Sequence, residues 1–356
     1  MVNYVSDSNL VLDVTIDGEP FPFVTQMSME AKVNSARSVT CVCSTLDGLD
    51  KVRIGAEVIL KFGQGDTIPA KDFTGIIRII NPNIGRFSFV AYDYITELAN
   101  SEIVRFEEGH YKGMDLYMAV ADVANYKNVS ISKLTKGSGI KIDNTMQMFG
   151  YLSRKQFIDN CMIFMVDIKT DSLHPLNAYL PYYYAIRSGK NLEVFQPDHL
   201  HNRVRADFTL SLDDATIMDG GLISNYTTVG MVNSCTVVSN IDANLSFTYN
   251  DEGSIKEYGV MSRKVDYPTT RKDVLEAVGR LVVQQFKEPT KGYRINLNNA
   301  EWIPLGAIIE LKSPAVKKSE FLPVVGYKIM INDKIDTVLE LGNIALGTDT
   351  LIRNFA

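Results

Sequence analysis

Alternation of apolar and polar residues dominates the two ends of the chain. Residues 73–93, FTGIIRIINPNIGRFSFVAYD, read as a β-hairpin turning on Asn, whose second strand continues into 94–98. Residues 322–342, LPVVGYKIMINDKIDTVLELG, write a similar unit. The segments ahead of the two hairpins also match, IGAEVILK at 54–61 and LGAIIELK at 305–312. A further strand spans 9–16, with a turn at Asp17-Gly18 and an edge segment marked by Pro20 and Pro22. Val39, Cys41 and Cys43 alternate with Thr40, Val42 and Ser44, the pattern of a strand with one face buried and one wet.

In the middle of the chain the period changes. Leu116, Ala119, Val120, Val123 and Ala124 fall at helical spacing within 112–126. Ser153-Arg154-Lys155-Gln156 is a capping box, followed by a stripe of Phe157, Ile158, Cys161, Phe164 and Met165. Strands at 179–186 and 192–195 flank a turn at 187–191. Further on, 234–239 and 245–249 read as strands, followed by a turn at Asp251-Glu252-Gly253. One more helix is capped by Thr270 and Asp273, buries Val274, Leu275, Val278, Leu281, Val282 and Phe286, and stops at Glu288-Pro289. The expected fold is mainly β: two similar small β-barrel modules flanking a mixed α+β middle domain. The divisions are 1–106, a first barrel or tube module; 107–211, the α+β insert; and 212–356, a β region with one helix and the second barrel module.

Composition narrows the function. A chain of 356 residues with 46% hydrophobic and 22% charged residues is an ordinary globular protein of two or three domains. A formal charge of −6 argues against a broad basic surface that grips nucleic acid. The four cysteines, Cys41, Cys43, Cys161 and Cys235, have neither metal-ligand nor disulfide-framework spacing, so packed thiols of a protein made in a reducing cytoplasm are expected. The first residues carry no basic and apolar leader, and no apolar run approaches the about 20 residues of a membrane span.

Candidate chemistry is sparse. His199 and His201, in Asp198-His199-Leu200-His201, could ligate zinc, but no third Cys or His stands nearby and a solvated loop is the plainer reading. His110 and His174 lie in turn-rich settings without an adjacent Ser or Cys nucleophile. Asp213-Asp214 and Glu107-Glu108 are neighbours that a strand would point to opposite faces, unlike the carboxylate pair of a glycosidase. No phosphate-binding or nucleophile-elbow motif occurs in its required context. Tyr182-Tyr183-Tyr184 could form a stacking platform for sugars, against a β-core position in which alternation buries Tyr183 or its neighbours. No catalytic constellation and no cofactor site is expected.

In the order of its elements the chain resembles the baseplate hub proteins of tailed phages and related contractile injection systems. These include the late-control-D-like and XkdQ-like hubs and the N-terminal region of VgrG spike proteins. The resemblance rests on Phe73-Thr74-Gly75 with the strand ending at Asp93 and Leu98, on the helix beginning at 113–116 followed by the one capped at Ser153, and on the stretch from Asp251 to Gly259 ahead of the last helix. It implies a structural, non-enzymatic subunit of the virion, assembled in the host cytoplasm. That subunit would be a homotrimer whose duplicated modules form a pseudo-hexameric ring between a six-fold tail tube or distal ring protein and a three-fold spike or tip. DNA would pass through the lumen without specific binding, and the chain itself would not insert into a membrane. The hairpins supply the candidate interface residues: Ile76, Arg78, Phe87, Phe89, Tyr327, Lys328 and Ile329. Two other readings stay open here, a zinc-dependent cell-wall hydrolase using His199 and His201, and a glycan- or receptor-binding tail protein using Tyr182–Tyr184.

Overall fold

The computed structural model describes residues 10–64, 72–107, 110–127, 129–131, 142, 150–164, 166–169, 178–195, 208–211, 217–228, 230–267, 270, 272–298, 303–313, 318–332 and 334–342. The first repeat comprises β1 (Leu10–Ile16), β2 (Glu19–Pro20), β3 (Val24–Lys32), β4 (Ser38–Cys43), β5 (Glu57–Gln64), β6 (Asp72–Asn83) and β7 (Arg86–Asp93). The middle portion contains α1 (Ile95–Ala99), β8 (Val104–Phe106), α2 (Leu116–Ala124), β9 (Ser130–Ile131), β10 (Gly150–Leu152), α3 (Arg154–Phe164), β11 (Val166–Lys169), β12 (Ala178–Pro181), β13 (Tyr183–Ser188) and β14 (Asn191–Phe195). Then follow β15 (Phe208–Ser211), β16 (Ile217–Thr227), β17 (Ser234–Ser239), β18 (Ser246–Asn250), α4 (Glu252–Tyr258), β19 (Ser262–Tyr267), α5 (Lys272–Phe286), β20 (Thr290–Asn298), β21 (Ile308–Ser313), β22 (Lys318–Ile331) and β23 (Ile335–Gly342).

The chain is mainly β, and its duplication is a duplication of strand order. In the first repeat the strands lie β3-β4-β7-β6-β5-β1, and in the second β16-β20-β23-β22-β21-β15. Each long strand, β6 or β22, pairs along its first half with β5 or β21 and along its other edge with β7 or β23. Both carry one extra residue at the same place, Arg78 between Ile77 and Ile79, and Val325 between Val324 and Gly326. A bulge of this kind bends a strand so that it can serve two neighbours along one edge. The repeats differ at their last strand, since β1 runs antiparallel to β5 whereas β15 runs parallel to β21. They differ also at one turn. Between β3 and β4 lies a short link, while between β16 and β20 the chain builds a separate sheet, β18-β17-β19, with α4 and α5.

No closed barrel is found among the described residues. Instead β22 pairs with β3 and joins the repeats into one 13-stranded sheet. A single apolar core lies under both, from Val14, Phe73 and Phe89 to Ile295, Ile329 and Leu341. A second core gathers α1, α2 and α3 against β13 and β14, and a third lies between α5 and the β17 sheet.

The helices follow their sequence signals. Leu116, Ala119, Val120, Val123 and Ala124 are buried in α2, whose N-cap Asp115 accepts from the Tyr117 N–H at 2.9 Å. The capping box closes both ways: Ser153 N–H donates to Gln156 Oε1 at 2.8 Å, and Gln156 N–H donates to Ser153 Oγ at 3.2 Å. Phe157, Ile158 and Cys161 are buried behind it. Leu275, Val278, Val282 and Phe286 form the buried stripe of α5, which ends before Pro289. Two short helices replace expected strand or turn. The segment after Asp93 is α1, because the Asp93 carboxylate accepts from the Ile95 N–H at 3.1 Å and starts a helix. The Asp251 turn is the N-cap of α4, its Oδ1 accepting from the Ser254 N–H at 2.9 Å.

Gly55 and Gly306 hold equivalent places ahead of β5 and β21, with φ of 91° and 78°. Each donates its N–H to the long strand at 2.8 Å, to the carbonyls of Ile77 and Val324 respectively. Placing alanine in this left-handed region costs roughly 1–2 kcal/mol. Urea denaturation should therefore show G55A and G306A both destabilised. G306A should lose more, because its Cβ would come within 2.4 Å of the Phe195 ring, whereas the space at Gly55 is open.

Candidate functional site

The junction between the repeats is the feature that function can use. β22 and β3 run antiparallel from Gly326 opposite Lys32 to Ile331 opposite Met27. The Val33 N–H extends the ladder by donating to the Val325 carbonyl at 3.1 Å. Below the sheet, Tyr327, Ile329 and Ile331 pack with Met27, Met29 and Ala31 in the shared core. Above it lies a polar face. Lys328 Nζ reaches Glu30 Oε1 at 2.6 Å, and Lys32 Nζ reaches Glu340 Oε2 at 3.2 Å. This face continues through Thr40 and Val42 of β4 and Ser88 and Val90 of β7, all partly buried.

A buried ion pair fixes how the middle portion meets this sheet. Arg37 Nε donates to Asp93 Oδ2 at 3.2 Å, with side chains 1% and 0% exposed. Burial pushes the Asp93 carboxyl up to about 6, against the pull of Arg37 and of the N–H donors around it. Arg37 Nη1 also donates to the Arg187 carbonyl at 3.3 Å, and Arg187 Nη2 donates to the Leu305 carbonyl at 2.6 Å. The Arg187 guanidinium stacks on Phe195 at 4.2 Å and pairs with Glu193 at 3.1 Å. One chain of contacts therefore runs from the end of β7, through the turn before β4 and through β13, to the loop before β21. Beside it, Asn34 exchanges backbone and side-chain hydrogen bonds with Tyr184, its N–H donating to the Tyr184 carbonyl and its Oδ1 accepting from the Tyr184 N–H.

The seven hairpin residues singled out from sequence fall in four settings. Phe87, Phe89, Tyr327 and Ile329 are buried in the shared core. Ile76 is half-buried and packs against the second core. Arg78, the bulge residue of β6, turns its guanidinium to Glu97 of α1, a buried carboxylate that also holds Lys127 at 2.9 Å. Lys328 alone reaches the polar face. Glu30, which lies 298 residues from Lys328, is not marked by any motif, nor are Arg37 and Arg187. Their only sequence signal is a charge at the end of an alternating run.

The other candidates resolve as follows. Tyr183 and Tyr184 are both buried, because β13 lies between two cores: Ala185 faces the first, and Tyr184 and Ile186 face the second. Alternation consequently exposes neither tyrosine. Cys41 and Cys43 are fully buried thiols, and burial pushes Cys43 up to about 11. His110 is exposed and meets the Tyr111 ring edge-on at 4.6 Å. His174, His199 and His201 lie outside the described residues, as do Asp213 and Asp214. Among the described residues no cluster of His, Cys, Asp and Glu is arranged to hold a metal, and no helix is long and apolar enough to cross a membrane.

Solved structures share this architecture over nearly the whole chain. A tail protein from Neisseria meningitidis MC58 superposes with a TM-score of 0.66 at 13% identity, covering 96% of this chain and 99% of that one. The fold is that of phage tail proteins. A 43 kDa tail protein of prophage MuSo2 from Shewanella oneidensis gives 0.63 at 9% identity, covering 93% and 97%. An E. coli component of the type VI secretion system, described as structurally similar to the T4 bacteriophage tail proteins gp27 and gp5, gives 0.50 at 9% identity, covering 94% and 77%. By sequence, no protein-family model and no curated protein matches.

Two mutational outcomes follow from this tail-protein fold. Removing Arg37 leaves a buried carboxylate without its partner, so R37M should cost about 3–5 kcal/mol in urea denaturation. R37M/D93N should recover part of that loss, and an R37M variant of wild-type stability would refute the role of the pair. At the junction the ion pair is partly exposed, so K328E should cost no more than about 1 kcal/mol. The double reversal E30K/K328E should restore stability, as the same measurement would show.

Proposed function

We propose that the chain is a structural, non-enzymatic hub of a phage tail or related injection particle. Three copies form a ring of six similar modules that joins a six-fold tail tube or distal ring protein to a three-fold tip or spike. The observation that carries this reading is the repeated strand order, with β22 and β3 already making one module-to-module junction within the chain. Two like modules per chain and three chains give six near-equivalent positions, and such head-to-tail interfaces close into a ring when the rotation fits. The tail-protein fold supports the setting, a virion tail.

In this ring the polar face of the sheet lines the lumen. Its lysines at 32 and 328 are each held by a carboxylate, so they are not free to bind phosphates as they would on a nucleic-acid-binding surface. DNA can then pass without being retained. The apolar face is occupied by the shared core. Of the alternatives, a glycan platform at Tyr182–Tyr184 has no support from the burial of Tyr183 and Tyr184.

Light scattering and negative-stain imaging test the proposal. The expected result is a particle of three chain masses with a central hole. A monomer at all attainable concentrations, with no ring in the images, would overturn it.

A further inference from the structure

Resting on the ring reading, the repeat geometry points to the two strand edges that join one copy to the next. The edges are the second half of β6 and the outer edge of β16. We infer that residues 79–83 of one copy pair antiparallel with residues 223–227 of the next, in a register fixed by the junction inside the chain.

The two repeats hold equivalent positions. Gly55 and Gly306 bond to Ile77 and Val324, and Ile77 and Val324 donate in turn to Ala56 and Ala307. With one bulge residue after each, Ile80 corresponds to Tyr327 and Asn81 to Lys328. The same ladder places Leu222 of β16 at the position of Met27, and Asn225 at that of Glu30. Inside the chain these two positions are satisfied: β22 past its bulge pairs with β3. Among the described residues, their counterparts have no partner strand. β6 past its bulge is paired only with β7, and β16 only with β20.

Exposure marks the difference. Ile79 is 41% exposed and Ile84, at the tip, 97%, while Ile331 at the place of Ile84 is 1% exposed under β3. Apolar residues on an open edge are an aggregation hazard unless a neighbour covers them.

The occupant is a second copy of this chain because the charges match in pairs. The internal junction carries Lys328 opposite Glu30, and Lys32 beside Glu340. At the transferred register these become Asn81 opposite Asn225, and Thr227 beside Val90. Both members change from charged to neutral together, and neither edge brings a lone charge to the other. Pro82 takes the place of Ile329 with its nitrogen towards the open edge, as alternation from the Asn83–Arg86 pair requires. It removes one donor from the ladder and so discourages unrelated strands, while its carbonyl remains free to accept from Ser224.

Paired cysteines test the register. Asn81 and Asn225 stand at a non-hydrogen-bonded position, where cross-strand Cα atoms lie about 4.5 Å apart, within the about 4.4–6.8 Å that a disulfide spans. The four native cysteines are buried and should not compete. In the assembled protein under mild oxidation, N81C/N225C should give covalent dimers and trimers, and N81C or N225C alone should give none. E30C/K328C serves as the control, cross-linking within the chain without changing its mass on a reducing-agent-free gel. Rings without a covalent ladder, with the control closing normally, would overturn the proposed edge and leave the ring reading standing. A protein that never assembles would overturn both.

Discussion

The six cross-strand pairs between β22 and β3 bring together residues nearly three hundred positions apart. Main-chain groups at the edge of a sheet need a partner or water, and this ladder supplies partners where, among the described residues, a strand of one repeat pairs with a strand of the other. The rest of the structure depends on it. With it, the apolar faces of both repeats close over one core; without it, each repeat would show a cut edge above a half-covered core. The residues on the two faces divide the labour. Tyr327, Ile329, Met27 and Met29 provide burial, and the lysine–carboxylate pairs above them set the alignment at little energetic gain.

The Arg37–Asp93 pair answers a different requirement. A buried ion pair is weak grounds for stability, since two desolvated charges cost nearly as much as they gain. Its value here is positional. The Asp93 carboxylate ends β7, starts α1 and holds the guanidinium that reaches the β13 carbonyl of Arg187. Arg187 then touches the loop before β21. The middle portion is thereby locked to both repeats by directional bonds that apolar packing alone would not specify.

Strands, hairpins and long helices were legible in the sequence because their signals are local. The alternation at Val39, Cys41 and Cys43, the reciprocal bonds of Ser153 and Gln156, and the stripe of α5 all appear where the residues imply. The two matching Gly-Ala segments marked the duplication, and the structure extends it from a hairpin to six strands in the same order. What was not legible is what depends on distance along the chain. Nothing in Lys328 announces Glu30, and a run of tyrosines does not reveal that both faces of β13 are covered. The duplicated hairpins point to interface strands but not to the edge residues within them. Large apolar side chains such as Phe87 and Phe89 are prominent because they belong to the core, whereas the edge is described by backbone groups and by modest residues such as Asn81 and Pro82.

The unequal turn gives the duplication a second meaning. Where the first repeat passes from β3 to β4 in a few residues, the second inserts a sheet and two helices with a core of their own. In the proposed ring, strands seen from the lumen would present six near-identical stations, but the rim carrying these turns would bear an ornament at every other one. In such a ring a neighbour that reads only strands would meet six-fold symmetry, and a neighbour that touches the ornaments would meet three-fold symmetry. The symmetry mismatch would then be resolved by one inserted segment, with no change in the strands that build the wall.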